Sequence, residues 1–346
     1  MRLCSSLLLC FLFLVPIARA GDVAVKIVEL RETMGVEGLD FSPDGKHLAA
    51  TSEGDSDEVH VWDWQGSRSI VLKMKKGGGS AGPASEPLRY RPDGRFLLAC
   101  HGRAEKDTVI HIWDARTGDF AQSIVEPDGG NCYAIGITPD GKQLIRITET
   151  GLKPKDSFIV YNTTDWQPAW SLRTIPFHPK TLTVSPDGKF AAVGGENLGP
   201  GIPNQPQILI IDLLKRAIVR TIDAFPLDNR VNQLAWHPDG IHIAAGATVG
   251  GTFKGPDIVK VFDATNGNLI VGEPVESPAH IFAMRYSPNG KYFVESSVNR
   301  SIRIWDGQHK TQLQEIHGEA ESLAISADSR FLARGGDRKL LIWKTW

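Results

Sequence analysis

Residues 41–50 read FSPDGKHLAA. Proline presets φ at the second position of a tight turn, aspartate favours the bend, and glycine takes the positive φ that leads into the next strand. The phrase returns at residues 90–99 (YRPDGRFLLA), 137–146 (ITPDGKQLIR), 184–193 (VSPDGKFAAV), 236–245 (WHPDGIHIAA) and 286–295 (YSPNGKYFVE). A worn seventh copy, ISADSRFLAR, occupies residues 325–334. From Pro43 through Pro92, Pro139, Pro186, Pro238 and Pro288 to Ala327, the steps are 49, 47, 47, 52, 50 and 39 residues. A period of this length, with strand signals and few helical ones, predicts an all-β fold, a β-propeller with one blade per copy.

Each repeat carries four strand signals. A short strand runs into the turn, and a second, often Ala-rich, leaves it (LAAT, FAAVG, HIAAG); small residues suit strands near the axis, where the blades converge. A third alternates with period two and ends in an aromatic or large apolar residue before Asp or Asn: VHVWD, IHIWD, FIVYN, ILIID, VKVFD, IRIWD, and LLIWK in the last copy. A more polar fourth completes the blade, as in SIVLKM or TQLQEI. The seventh copy ends after its third strand, while residues 23–30 (VAVKIVEL) precede blade 1 without a blade of their own. An open sheet edge invites aggregation. Residues 23–30 are therefore expected to supply the fourth strand of blade 7 and close the ring.

The pairs Trp62-Asp63, Trp113-Asp114 and Trp305-Asp306, each about 20 residues after a Pro-Asp/Asn-Gly turn, resemble the WD-repeat family over roughly residues 23–346. The resemblance implies a seven-bladed propeller of four-stranded antiparallel blades, closed as above, and a role in binding other proteins. The chain departs from the family in lacking its Gly-His pair before the first strand, His317-Gly318 being a reversed echo, and in placing Tyr161, Ile211 and Phe262 where Trp is usual. The family's Asp-His-Ser-Trp hydrogen-bond network is thus not expected.

The first twenty residues stand apart. Arg2 is followed by an apolar run to Ile17 and then by Ala18-Arg19-Ala20. That is the layout of a cleaved secretory signal, and the run is shorter than a membrane span needs. The expected domains are a signal peptide at 1–20 and a propeller at 21–346, exported to the periplasm or secreted after cleavage near Ala20, as a bacterial-type member. Without Arg2 and Arg19 the chain has 36 basic and 40 acidic residues, a net of −4. No basic stripe marks a nucleic-acid surface, and the mature chain has no further long apolar stretch. Of four cysteines, Cys4 and Cys10 leave with the signal. Cys100 and Cys132, at strand ends on adjacent blades, have two readings, a disulfide or two buried thiols, and are too few to ligate a metal.

A propeller hosts many functions, so evidence for one must come from its loops. The family layout puts the second-to-third-strand loops on one face, the top. They are longest in blades 3 to 5, where they carry Lys153, Lys155, Asn197, Asn204, Phe253 and Lys254. These six residues are the expected binding surface. His101, His178, His280 and His317 map near the same rim without a motif joining them, and the repeated turn aspartates read as turn formers. No nucleophile elbow, P-loop or His-Glu-x-x-His occurs. The expectation is a non-catalytic exported scaffold, monomeric, binding a protein partner and needing no cofactor or metal. A lactonase-like propeller hydrolase, working at the mouth of the axial channel, is the alternative.

Overall fold

In blade 1 the Ser42 hydroxyl donates to Asp44 Oδ1 (2.6 Å), which also accepts from the Lys46 amide (3.1 Å). The His47 amide donates back to Ser42 Oγ (2.9 Å), and Gly45, at φ 71°, donates to the Ser42 carbonyl. The Ser42 hydroxyl, the Asp44 carboxylate and the Gly45, Lys46 and His47 amides thus find partners within the bend. The same clasp recurs at Thr138–Asp140, Ser185–Asp187, Ser287–Asn289 and Ser326–Asp328. The Thr138 hydroxyl in turn holds the Asp140 carboxyl below its usual range. In the worn seventh copy Ser329 takes the left-handed position at φ 60° that glycine fills elsewhere. The aspartates that end the third strands, after Trp113 or after Ile211 in its place, cap a second turn, between third and fourth strands. Asp114 Oδ1 accepts the Arg116 and Thr117 amides, and Asp212 those of Leu214 and Lys215.

The computed structural model describes residues 24–31, 36–52, 58–66, 68–73, 87–101, 108–126, 131–149, 157–172, 175, 177–196, 206–225, 229–249, 258–272, 281–297, 301–318, 320–336 and 338–345. Residues 1–20, read above as a signal sequence, lie outside them. They form seven four-stranded antiparallel sheets arranged as a propeller, without helices, and none of them forms a helix long and apolar enough to cross a membrane. Six sheets are consecutive hairpins. The seventh joins Ser322–Ile325, Phe331–Gly336 and Lys339–Thr345 to the strand Ala24–Arg31, which pairs antiparallel with Lys339–Thr345 from Ala24↔Thr345 to Arg31↔Lys339. The chain closes its ring as the sequence predicts, one residue further along. The Gln314 side chain brackets Ala24 from blade 6, accepting from its amide (2.8 Å) and donating to its carbonyl (3.1 Å).

Each junction between blades holds one apolar cluster. Leu98, Ile110, Ile135, Leu144 and Tyr161 fill the junction of blades 2 and 3; Ala192, Ile208, Val231, Ile243 and Phe262 fill that of blades 4 and 5. Close approach explains the small residues of the second strands: a Cβ on Gly194 would lie 2.4 Å from Val231 Cγ1 of the next blade.

That small-residue pattern breaks in three blades. Seven residues after the turn's proline or its substitute, where Ala50, Ala99, Val193 and Ala245 stand, blades 3, 6 and 7 bury Arg146, Glu295 and Arg334. In blade 6 the Trp305 indole donates to Glu295 Oε1 (3.2 Å), and Arg303 lies 3.8 Å from the same oxygen. In this blade an acid therefore takes the indole donor. Burial pushes the Glu295 carboxyl up to about 7, against the pull of Trp305 and Arg303.

Two outcomes follow. Deleting residues 24–31 strips a whole strand and bares the edge of blade 7; the melting temperature should fall by more than about 10 °C, or the protein should aggregate. A truncated protein melting with the parent would exclude closure by this strand. For Glu295, the folded state holds its proton more tightly than the unfolded state does. Its contribution to stability is full below the unfolded value of about 4.5 and is lost as the pH rises through about 7, by roughly 3 kcal/mol at most. Glu295→Gln should flatten the fall in melting temperature between pH 5 and 7.5. An unchanged slope would show that the carboxyl is ionised throughout.

Candidate functional site

The first strand of each blade runs from the top face down to the Pro-Asp-Gly turn. In five blades its ladder slips at the same place, a bulge six residues before the turn's proline. The residues so extruded are Glu37, Tyr133, Lys180, Asn232 and Phe282. A bulge turns its extra residue out of the ladder and re-aims the side chain. Set at one height in successive blades, these positions make an inner ring near the top end of the propeller.

Over blades 3 to 6 the ring is built from unlike side chains. Lys180 Nζ donates to the Tyr133 hydroxyl (2.8 Å) and lies 4.2 Å from the centre of the Tyr133 ring, tying blade 4 to blade 3. Asn232 and Phe282 are half-buried. Between them the Gln233 amide reaches across to donate to the Phe282 carbonyl (2.7 Å), so blade 5 holds blade 6 at this level. Further out, Lys260 Nζ donates to the Ala224 carbonyl (3.1 Å) and sits 5.0 Å from the Phe225 ring centre; burial draws its ammonium below the usual lysine range. Aromatic faces beside held ammonium groups suit a partner with acidic and apolar groups together.

Within the ring the first strands bring three charges together. Asp40 of blade 1 accepts the Tyr90 amide of blade 2 (2.7 Å) and senses Arg89 and Arg285. Arg285 belongs to blade 6, so the charges meet across the axis. Burial raises the Asp40 carboxyl and lowers both guanidinium groups to about 10. One carboxylate between two cations leaves the cluster with a net positive charge near the axis.

Cys100 and Cys132 are joined in a disulfide, their Cα atoms 6.2 Å apart, at the junction of blades 2 and 3. Of the sequence's two readings the structure holds the bridge. It anchors the base of Tyr133, the neighbouring bulge residue.

Lys153, Lys155, Asn197, Asn204, Phe253 and Lys254 lie outside the described residues, as does His280. His178 begins the first strand of blade 4 and His317 ends the fourth strand of blade 6, so the two sit on blades that are not neighbours. Among the described residues, the histidines that converge are others, on the opposite face. Sequence reading missed Tyr133, Lys180, Asn232 and Phe282. Their fixed offset from each turn was visible, but a bulge is a property of pairing and leaves no residue signature.

The ring and its repeated turns define a seven-bladed β-propeller. Residues 26–63 and 272–306 match the family described as WD domain, G-beta repeat. Protein hir1 of Aspergillus terreus is 23% identical over 91% of this chain, which spans 28% of that protein's length. WD repeat-containing protein 82 of Drosophila melanogaster is 19% identical, covering 78% of this chain and 90% of its own. Among solved structures, a chain of Kuenenia stuttgartiensis hydrazine synthase superposes with a TM-score of 0.74 at 16% identity, covering 91% of this chain and 97% of that one. That likeness concerns the fold alone.

Thiol labelling of the denatured, unreduced protein should find neither Cys100 nor Cys132 free. Reduction should cost about 3 to 4 kcal/mol, the chain-entropy value for cysteines 32 residues apart. Two labels per mature chain would exclude the bridge.

Proposed function

We propose that this protein is an exported, non-catalytic scaffold that captures a protein partner on its top face, over blades 3 to 6. One observation carries the reading. The bulge recurs at one repeat position, yet its side chains vary: Tyr133 and Phe282 are aromatic, Lys180 is a cation and Asn232 an amide. Positions that serve the fold repeat their chemistry, as the turn clasps do. A position that keeps its backbone and varies its side chain is free to serve a ligand. WD-repeat propellers commonly bind protein partners, which supports the same reading. Above this rim the long loops of blades 3 to 5, with Lys153, Lys155, Asn197, Asn204, Phe253 and Lys254, supply the outer part of the surface. Export rests on the leader at residues 1–20, and N-terminal sequencing of the mature protein should begin at Gly21.

The test is capture from an envelope fraction by wild type, by Lys180→Glu/Phe282→Ala, and by a chain whose residues 200–206 are replaced with a short Gly-Ser link. Both variants should melt within a few degrees of wild type, and each should capture at least tenfold less of the same partner, since an interface anchor is worth about 2 kcal/mol or more. Unchanged capture, with sensitivity instead at the turn face, would put the surface on the wrong side.

A further inference from the structure

The blade 5 turn departs from its sisters in a particular way. Where the others open on Ser, Thr or Arg, it reads His237-Pro238-Asp239-Gly240-Ile241-His242. With no hydroxyl to bind, Asp239 Oδ1 takes the Ile241 and His242 amides (2.8 and 3.0 Å). That leaves Oδ2 turned toward both imidazoles, 2.9 Å from His237 Nδ1 and 2.6 Å from His242 Nδ1. The three donor atoms lie within 4.8 Å of one another.

We propose that His237, Asp239 and His242 form a binding site for a divalent transition-metal ion of the zinc class on the turn face of the propeller, beside blade 6. Two imidazole nitrogens and one carboxylate oxygen suit zinc and its first-row neighbours, and disfavour magnesium and calcium, which prefer oxygen throughout. The surroundings prepare the site. The Asp239 amide donates to His237 Nδ1 (3.1 Å), which requires a lone pair there and sets the ring proton on Nε2. Nε2 faces the Gly290 carbonyl of blade 6 at 3.4 Å, the outer hydrogen bond that orients metal-binding histidines. Tyr286 packs edge-on against the His237 ring, 4.7 Å between centres, and fixes its plane. In that tautomer a lone pair on Nδ1 faces a carboxylate oxygen 2.9 Å away, and a proton or a metal cation between them relieves the repulsion. Bonds of about 2.0 to 2.1 Å to a tetrahedral ion would set Oδ2 about 3.3 Å from each nitrogen, less than an ångström wider than its present 2.9 and 2.6 Å. His242 is 36% exposed and can make that move. The fourth position faces outward, open to water or to a partner's side chain.

Every ligand position has a working substitute in a sister turn: Ser185 for His237, Asn289 for Asp239 and Gln143 for His242. The variants His237→Ser, Asp239→Asn and His242→Gln should therefore fold. Metal-stripped mature protein is titrated with zinc chloride by calorimetry and with cobalt by visible absorption, and its melting temperature is read with and without zinc. Wild type should bind one equivalent and melt higher with zinc. Each variant, its circular dichroism unchanged, should bind at least tenfold more weakly and lose the rise in melting temperature. If wild type takes up no zinc, or the His237→Ser/His242→Gln double variant matches it, the cluster is only a hydrogen-bonded turn.

Discussion

A four-stranded blade has two apolar faces and no means of covering either alone. Leu97 and Ala99 of blade 2 face blade 1, while Leu98 and Cys100, their neighbours in the same strand, face blade 3. Because side chains alternate along a strand, each blade needs a partner on both sides. Seven mutual coverings in a circle leave no face unmatched, provided that the last junction forms. The pairing of Ala24–Arg31 with Lys339–Thr345 completes the blade that bridges blades 6 and 1. The apolar junctions supply the driving force, and the closure makes them all attainable together.

Within that frame the sequence is legible wherever chemistry and backbone recur together. The Pro-Asp-Gly copies announce their turns because Asp44, Asp140 and Asp187 bind the amides of their own bend, a local matter needing no knowledge of the rest of the chain. The Trp-Asp aspartates are local in the same sense. Ring closure was legible by counting strands. The inner ring was not, because Tyr133 and Lys180 are ordinary strand residues until the neighbouring strand fixes the register that extrudes them. Arg146, Glu295 and Arg334 were hidden for another reason. Each breaks a pattern of small residues, and what it meets, such as Trp305 for Glu295, comes from elsewhere in its blade or from the next one.

The two faces divide the labour. The turn face is made of short bends, most of them clasped by a Ser or Thr hydroxyl, and the blade 5 turn differs in carrying two histidines. The other end of the first strands carries the bulges, whose side chains differ from blade to blade. Interblade hydrogen bonds such as Gln233 to Phe282 and the Leu234 amide to Thr181 hold the rim in place while its chemistry differs from blade to blade. Rigid backbone with free choice of side chain is what a recognition surface needs.

Closure also sets the order of events in time. The strand Ala24–Arg31 is made before every other strand of the ring, and its partner Lys339–Thr345 after all of them. Blades 1 to 6 can each form hairpins as they emerge, because their strands are consecutive. The earliest strand must wait, an unpaired edge, until the last strand of the ring has been made and the contact between them closes. Contacts so distant in sequence form slowly. For that interval the protein is a chain of half-covered blades, vulnerable to pairing with other copies of itself, and it becomes a ring in a single late step.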